Sequence, residues 1–136
     1  GSARGSFARM GTTSKKILII EDDPVGRRMI GDFLAAKGYD VSWATNGVEG
    51  VEMARMTDPD LVLCDVLLPR KSGFEVCFDL KRVGSAVRAP VILMSAVLRS
   101  AEEQTYAKDG LRADAYFVKP FPMSAMLTRI EQLLAA

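Results

Sequence analysis

Residues 17–24 read Ile-Leu-Ile-Ile-Glu-Asp-Asp-Pro, an apolar run that ends in three acids and a proline. The run is short, continuous and rich in β-branched residues, which is typical of a strand buried on both faces of a parallel sheet. Asp23 and Pro24 then predict a helix start, with Asp23 as the N-cap and proline at the first helical position. This stretch therefore predicts a buried strand that leads directly into a helix.

The same pattern recurs along the chain. Helix starts are predicted near residues 47, 73 and 101, because Asn46, Ser72 and Ser100 each precede a glutamate by three positions. An alternating apolar and polar segment predicts a half-exposed edge strand at residues 39–43. Three further apolar runs predict buried strands at residues 61–64, 91–94 and 116–118.

This alternation of strands and helices predicts a single α/β domain over residues 15–136. The expected architecture is a doubly wound parallel sheet of five strands with right-handed crossovers. Residues 1–14 are rich in Gly, Ser and Arg, and we expect them to be a flexible tag or lead-in outside the domain.

The composition argues against several classes of protein. Lys and Arg total 18 and Asp and Glu total 17, so the net charge of +1 gives no reason to expect nucleic-acid binding by this segment. No apolar run approaches the roughly 20 residues that cross a bilayer, and no signal peptide is visible, so we expect a cytoplasmic location. The absence of histidine removes Ser-His-Asp catalysis and His-containing zinc sites. Cys64 and Cys77 lack metal or redox spacing and are interpreted as core residues.

Polar side chains follow the predicted strands. Glu21 and Asp22 follow the first strand, Asp65 the third, Ser95 the fourth and Lys119 the fifth. Because ligands bind beyond the carboxyl ends of the strands in such sheets, we expect these five residues to share one site. Taken singly, the Glu21-Asp22 pair, Ser95 and Lys119 each have a commoner structural explanation, whereas Asp65 favours function even alone, because ending a buried strand needs no charge. The joint placement of these residues favours function for all of them.

The three carboxylates would repel one another unless a cation lay among them, and Mg²⁺ prefers oxygen ligands combined with phosphate oxygens. We therefore interpret Glu21, Asp22 and Asp65 as Mg²⁺ ligands. Beside the metal, Asp65 can attack a phosphorus atom and form an aspartyl phosphate, while Lys119 neutralises the equatorial oxygens. Ser95 can then donate a hydrogen bond to the new phosphoryl group.

Four segments in order resemble the signatures of response regulator receiver domains, the CheY-like family. They are residues 17–24, residues 61–69 with Ser72-Gly73, residues 91–96 and residues 116–121, and the resemblance extends from about residue 15 to residue 134. It implies a flavodoxin-like (βα)5 fold with strand order 2-1-3-4-5. It also implies that Asp65 is the phosphoacceptor, that Glu21 and Asp22 are the acidic pair for Mg²⁺, and that the backbone carbonyl of Leu67 is a further metal ligand.

The resemblance further implies a switch. Ser95 matches the switch hydroxyl, Tyr116 matches an aromatic residue that rotates between exposed and buried positions, and the Lys119–Pro120 bond is expected to be cis. A histidine kinase, a phosphotransfer protein or a small acyl phosphate would supply the phosphoryl group. The surface of the fourth helix, fifth strand and fifth helix would then change for a downstream output domain or protein. No nucleic-acid or membrane partner of this segment is expected, and the family allows a homodimer that no residue here supports.

Two features depart from the family pattern. The stretch from Ser95 to Lys119 is longer than the pattern, and Arg112 stands where glycine is usual. A second function therefore stays open, that of a pseudo-receiver that binds partners without phosphorylation. A third is a phosphohydrolase with an aspartyl-phosphate intermediate, although Asp65-Val66-Leu67 lacks the second acid of the D-x-D motif. The favoured interpretation is a regulatory domain that catalyses only its own phosphorylation and dephosphorylation, and is not otherwise an enzyme.

Overall fold

The computed structural model describes residues 4–7, 15–96 and 100–136 of the chain. These residues form one sheet with helices packed on both faces, so the predicted α/β architecture is confirmed. The strands are β1 Arg4–Phe7, β2 Lys16–Ile20, β3 Asp40–Ala44, β4 Leu61–Asp65, β5 Val91–Ser95 and β6 Ala115–Val118. The helices are α1 Pro24–Ala36, α2 Gly47–Thr57, α3 Gly73–Lys81, α4 Ala101–Thr105 and α5 Met123–Ala135, with a π-helical turn at Tyr106–Gly110 directly after α4.

The sheet has six strands in the order β1-β3-β2-β4-β5-β6. Strands β2 to β6 pair in parallel, whereas β1 pairs antiparallel with β3. The predicted five-stranded sheet with order 2-1-3-4-5 does not match this six-stranded sheet, because β1 adds a strand at one side. Without β1, the parallel strands lie in the order β3-β2-β4-β5-β6.

Strand β1 corrects two predictions, one about the start of the chain and one about the edge of the sheet. Residues 4–7 are part of the sheet and not a flexible lead-in, while residues 1–3 and 8–14 lie outside the described residues. The predicted edge strand, β3, is covered, with Gly5 opposite Trp43. An edge strand presents unpaired backbone groups, and β1 pairs with them. Gly5 is needed there, since a Cβ atom would lie 1.8 Å from the Trp43 ring.

The core consists of two clusters on opposite faces of the sheet. Side chains alternate along the central strands, so Leu18 and Ile20 of β2 join one cluster while Ile17 and Ile19 join the other. The first cluster packs under α2 and α3, and the second packs under α1 and α5. Each central strand is therefore buried on both faces, as its continuous apolar run predicts.

The predicted helix starts are confirmed by their caps. The Asp23 carboxylate accepts hydrogen bonds from two backbone N–H groups at the start of α1. Asn46, Ser72 and Ser100 each accept one from the N–H of the glutamate three residues later. These caps fix where α1 to α4 begin relative to the ends of the preceding strands.

The crossover from β5 to β6 contains an irregularity that the sequence pattern did not predict. The Leu111 N–H donates to the Tyr106 carbonyl at 3.0 Å, an i→i+5 bond that widens the helix by one residue. Arg112 follows with a φ of 61°, in the left-handed region that favours glycine. The longer crossover is thus partly accommodated by the π-helical turn. Among the described residues, no helix is long and apolar enough to cross a membrane.

Candidate functional site

Two acids and a lysine meet at the carboxyl end of the parallel strands. Glu21 follows β2, Asp65 is the last residue of β4, and Lys119 follows β6. The Lys119 Nζ atom lies 2.6 Å from Glu21 Oε1 and 2.5 Å from Asp65 Oδ2. Glu21 is 1% exposed and Asp65 is 6% exposed. Direct contacts in the structure therefore bring together three of the five residues that were predicted to share a site.

The loop after β4 holds Asp65 in a defined position. The Leu67 N–H donates to Asp65 Oδ1 at 2.9 Å, and the Gly73 N–H donates to the Val66 carbonyl at 2.9 Å. A Cβ atom at Gly73 would lie 2.2 Å from the Asp65 carbonyl oxygen, so the close approach of α3 to this loop requires glycine. The carboxylate is therefore oriented by the backbone on one oxygen and by Lys119 on the other.

Lys119 and Ser95 lie at the ends of neighbouring strands. The Lys119 N–H donates to the Ser95 carbonyl at 3.0 Å, which extends the pairing of β5 and β6 by one hydrogen bond. Ser95 is fully buried. The Lys119–Pro120 peptide bond is cis, as the family resemblance implied.

The pKa values of Glu21 and Lys119 are shifted because two buried carboxyl groups lie close to each other and to Lys119. Burial and the neighbouring Asp65 together raise the pKa of Glu21 to about 7, although the contact with Lys119 acts to lower it. Burial alone would lower the pKa of Lys119, but its hydrogen bonds to Asp65 and Glu21 raise that pKa above the usual value. The site thus places two buried carboxyl groups beside one ammonium group.

Asp22 differs from the other two acids because it is exposed. Its carbonyl oxygen accepts a hydrogen bond from Arg27 Nη1 at 3.4 Å, and the Glu21 carbonyl accepts one from the same atom at 3.0 Å. The Arg27 guanidinium also lies 5.4 Å from the centre of the Trp43 ring. The sequence analysis did not identify Arg27, which lies one turn into α1 and holds the backbone of Glu21 and Asp22 through these hydrogen bonds.

The predicted three-acid metal site is not assembled in this geometry. Among the described residues, no group of three or more His, Cys, Asp or Glu side chains is arranged to hold a metal ion. Leu67, whose carbonyl was predicted as a further ligand, is 58% exposed. Asp23 serves as a helix cap, as expected, and is not part of the candidate site.

Tyr116 lies in β6, next to the site, and packs against the first core cluster. Its hydroxyl oxygen is buried and has no hydrogen bond of good geometry within the described part of the chain. Burial raises the pKa of Tyr116 to about 12, and the nearby Ser95 side chain lowers it in part. The ring is therefore in an inward position beside Ser95.

The family model of the response regulator receiver domain matches residues 17–131 of the chain. This chain belongs to the response regulator receiver domains. The receiver domain is 36% identical over 119 residues to the DNA-binding dual master transcriptional regulator RpaA of Synechocystis sp., covering 88% of this chain and 48% of that protein. It is 35% identical over 119 residues to the response regulator MprA of Mycobacterium leprae, covering 88% of this chain and 50% of that protein. The chain thus spans about half the length of these curated relatives.

Solved structures show the same fold. The BeF3-activated N-terminal receiver domain of Klebsiella pneumoniae RstA matches with a TM-score of 0.79 and 30% identity, covering 90% of this chain and all of that one. The receiver domain of the sensor histidine kinase PA1611 from Pseudomonas aeruginosa PAO1, described with a magnesium ion in its active site cleft, matches with a TM-score of 0.80. That pair shares 23% identity over 91% of this chain and all of the other, which shows a likeness of fold alone.

Proposed function

We propose that this receiver domain accepts a phosphoryl group on Asp65 in a Mg²⁺-dependent reaction. What supports the proposal most is the contact of Lys119 Nζ with Asp65 Oδ2 at 2.5 Å, at the end of a buried strand. A carboxylate oxygen of Asp65 would form a bond to phosphorus as the donor's P–N or P–O bond breaks, and the leaving group would keep that bond's electron pair. Lys119 would neutralise the phosphoryl oxygens, and hydrolysis of the acyl phosphate would restore the carboxylate.

A metal fits the chemistry of the donor groups. Glu21, Asp22 and Asp65 offer carboxylate oxygens, and a divalent cation would offset the negative charge of Glu21 and Asp65, which both contact Lys119. We propose that these three acids and the Leu67 carbonyl hold Mg²⁺, with Asp22 reorienting from its exposed position. The bound ion would supply charge neutralisation at the phosphoryl oxygens.

We propose that phosphorylation of Asp65 changes a partner-binding surface of the domain. Ser95 is buried at the end of β5, and its hydroxyl could reach the phosphoryl group only after a local movement that affects the adjacent Tyr116. Such a movement would alter the face formed by α4, β6 and α5, where a downstream output domain or protein would bind. The proposed phosphoryl donor is a histidine kinase or a phosphotransfer protein. A cytoplasmic location is part of the proposal, supported by the similarity to a DNA-binding regulator.

The test is intact-mass spectrometry after incubation with acetyl phosphate, with and without Mg²⁺. We expect one adduct of about 80 daltons that requires Mg²⁺ and is absent in Asp65→Asn. Asp32→Asn is the matched control, because this acid is exposed on α1 in a surface ion pair. An adduct that persists in Asp65→Asn would overturn the assignment of the acceptor.

Two other outcomes would replace the proposal. If no adduct forms even with a kinase that phosphorylates other receivers, the protein is better described as a pseudo-receiver. Continuous release of phosphate from phosphate esters would indicate a phosphohydrolase, whereas we expect no turnover beyond self-phosphorylation and dephosphorylation.

A further inference from the structure

A cationic cavity lies at the end of α3, away from the phosphoacceptor residues. It is open to the surface and has a volume of about 240 Å³, and four of its lining residues carry positive charge: Lys81, Arg82, Arg88 and Arg112. Of the described residues, no Asp or Glu lines it. Four cations around one small space repel one another, so an anion bound among them would be favoured.

The backbone of Arg112 is held in an unfavourable conformation at this cavity. Its φ of 61° costs a residue other than glycine roughly 1–2 kcal/mol. Its Nη2 atom donates to the Lys81 carbonyl at 2.7 Å, which fixes the guanidinium across the end of α3. Residues with strained backbone are often found at functional sites.

The other cations differ in how they are paired. Lys81 Nζ lies 2.8 Å from Asp114 Oδ2, an oxygen that also accepts the Val91 N–H. Arg82 and Arg88 are exposed and form no ion pair within the described part of the chain. Two guanidinium groups at the cavity therefore have no carboxylate partner among the residues that the structure describes, and a third, that of Arg112, donates to the Lys81 carbonyl.

An apolar cavity of about 220 Å³ adjoins the cationic one and shares Lys81, Arg82, Val83 and Arg112 with it. Phe78 and Leu111 supply its apolar surface, and no Asp or Glu among the described residues lines it. Phe78 is 56% exposed and Val83 is 92% exposed, so both side chains are accessible to a ligand. The two cavities together present one cationic half and one apolar half.

We propose that these cavities form a binding site for a nucleoside phosphate. Guanidinium groups bind phosphate oxygens in pairs of hydrogen bonds, which suits Arg82, Arg88 and Arg112. A base could stack on the exposed Phe78 ring beside Val83 and Leu111, as bases do on aromatic side chains. The site shares no residue with the acidic site and does not depend on phosphorylation of Asp65.

The experiment is an NMR titration of the ¹⁵N-labelled full chain with ADP and with GDP, without Mg²⁺, repeated on Asp65→Asn. We expect saturable shifts of amides within residues 78–88 and 110–113 in both proteins. Pyrophosphate should bind at the same cations more weakly, and adenosine, which lacks phosphate, should not bind.

Variants separate the two halves of the site. Arg82→Ala with Arg88→Ala, and separately Arg112→Gly, should weaken ADP binding about tenfold or more. Glycine suits the φ of residue 112, so this variant should stay folded, as its melting temperature would verify. Phe78→Ala should weaken ADP binding about fivefold or more and leave pyrophosphate binding unchanged. Arg55→Ala removes an exposed arginine that lines neither cavity and should have no effect.

Several results would overturn the proposal. They are the absence of saturable shifts up to about 5 mM nucleotide, shifts centred elsewhere, equal binding by Arg112→Gly, and insensitivity of ADP binding to Phe78→Ala. Binding of an acidic peptide such as oligoglutamate in place of ADP would instead mark the surface as a protein-docking site.

Discussion

Among the described residues, Lys119 is the cation that contacts both buried carboxylates. Lys119→Met removes the ammonium group and leaves Glu21 and Asp65 facing each other. We expect the free energy of unfolding to fall by about 1–3 kcal/mol without divalent cations, since Lys119 is only 28% exposed. Urea denaturation at neutral pH measures this. Lys108→Met, on the exposed π-helical turn, is the control, and equal stability of the two variants would contradict the prediction.

The two cysteines give a second prediction for individual residues. Burial raises the pKa of Cys77 to about 12 and holds that of Cys64 well above its usual value. The native protein at pH 8 should therefore not react with a disulfide reagent, and both thiols should react after unfolding. Because the unfolded chain loses these thiol protons first, the thiols' contribution to stability is present below about pH 9 and declines above it. Rapid modification of either thiol in the native protein would show that this thiol is accessible to the reagent and contradict the prediction.

At the scale of elements, the pairing of β1 with β3 depends on the close approach of Gly5 to Trp43. Gly5→Val places a side chain into the Trp43 ring and should release β1 from β3. Ser6→Val is the matched control on the same strand, because Ser6 is exposed. We expect faster amide hydrogen exchange in β3 for Gly5→Val alone, with β4 and β5 unchanged. Equal exchange in the two variants would mean that β1 does not protect the edge.

The elements also differ in how well their sequences predict them. The runs at β2, β4 and β5 are predictable because both faces of a central strand are buried, and α1 to α3 are predictable from their caps. Strand β1 is not, because Gly and Ser carry no periodic signal and its pairing depends on a free edge at β3. The π-helical turn is also not predictable from the sequence, because helices with i→i+4 and i→i+5 hydrogen bonds have similar residue patterns over five residues.

At the scale of the whole molecule, the two core clusters share the central strands and should unfold together. Leu80→Ala in the first cluster and Leu34→Ala in the second should each lower the free energy of unfolding by about 2–5 kcal/mol. Trp43 fluorescence and far-ultraviolet circular dichroism should report one midpoint for each variant. Different midpoints from the two probes would show that the faces unfold separately. Val83→Ala is the control, because Val83 is 92% exposed.

The sequence by itself determined the α/β class, the central strands, the helix caps and the placement of Glu21, Asp65, Ser95 and Lys119 at strand ends. These follow from local periodicity and from the rule that parallel strands present their carboxyl ends at one edge. Only the tertiary structure decided the sixth strand, the exposure of Asp22, the role of Arg27 and the cavity beside Arg112. Those features depend on contacts between segments distant in the chain, such as Gly5 with Trp43 and Arg112 with Lys81, which no local pattern encodes.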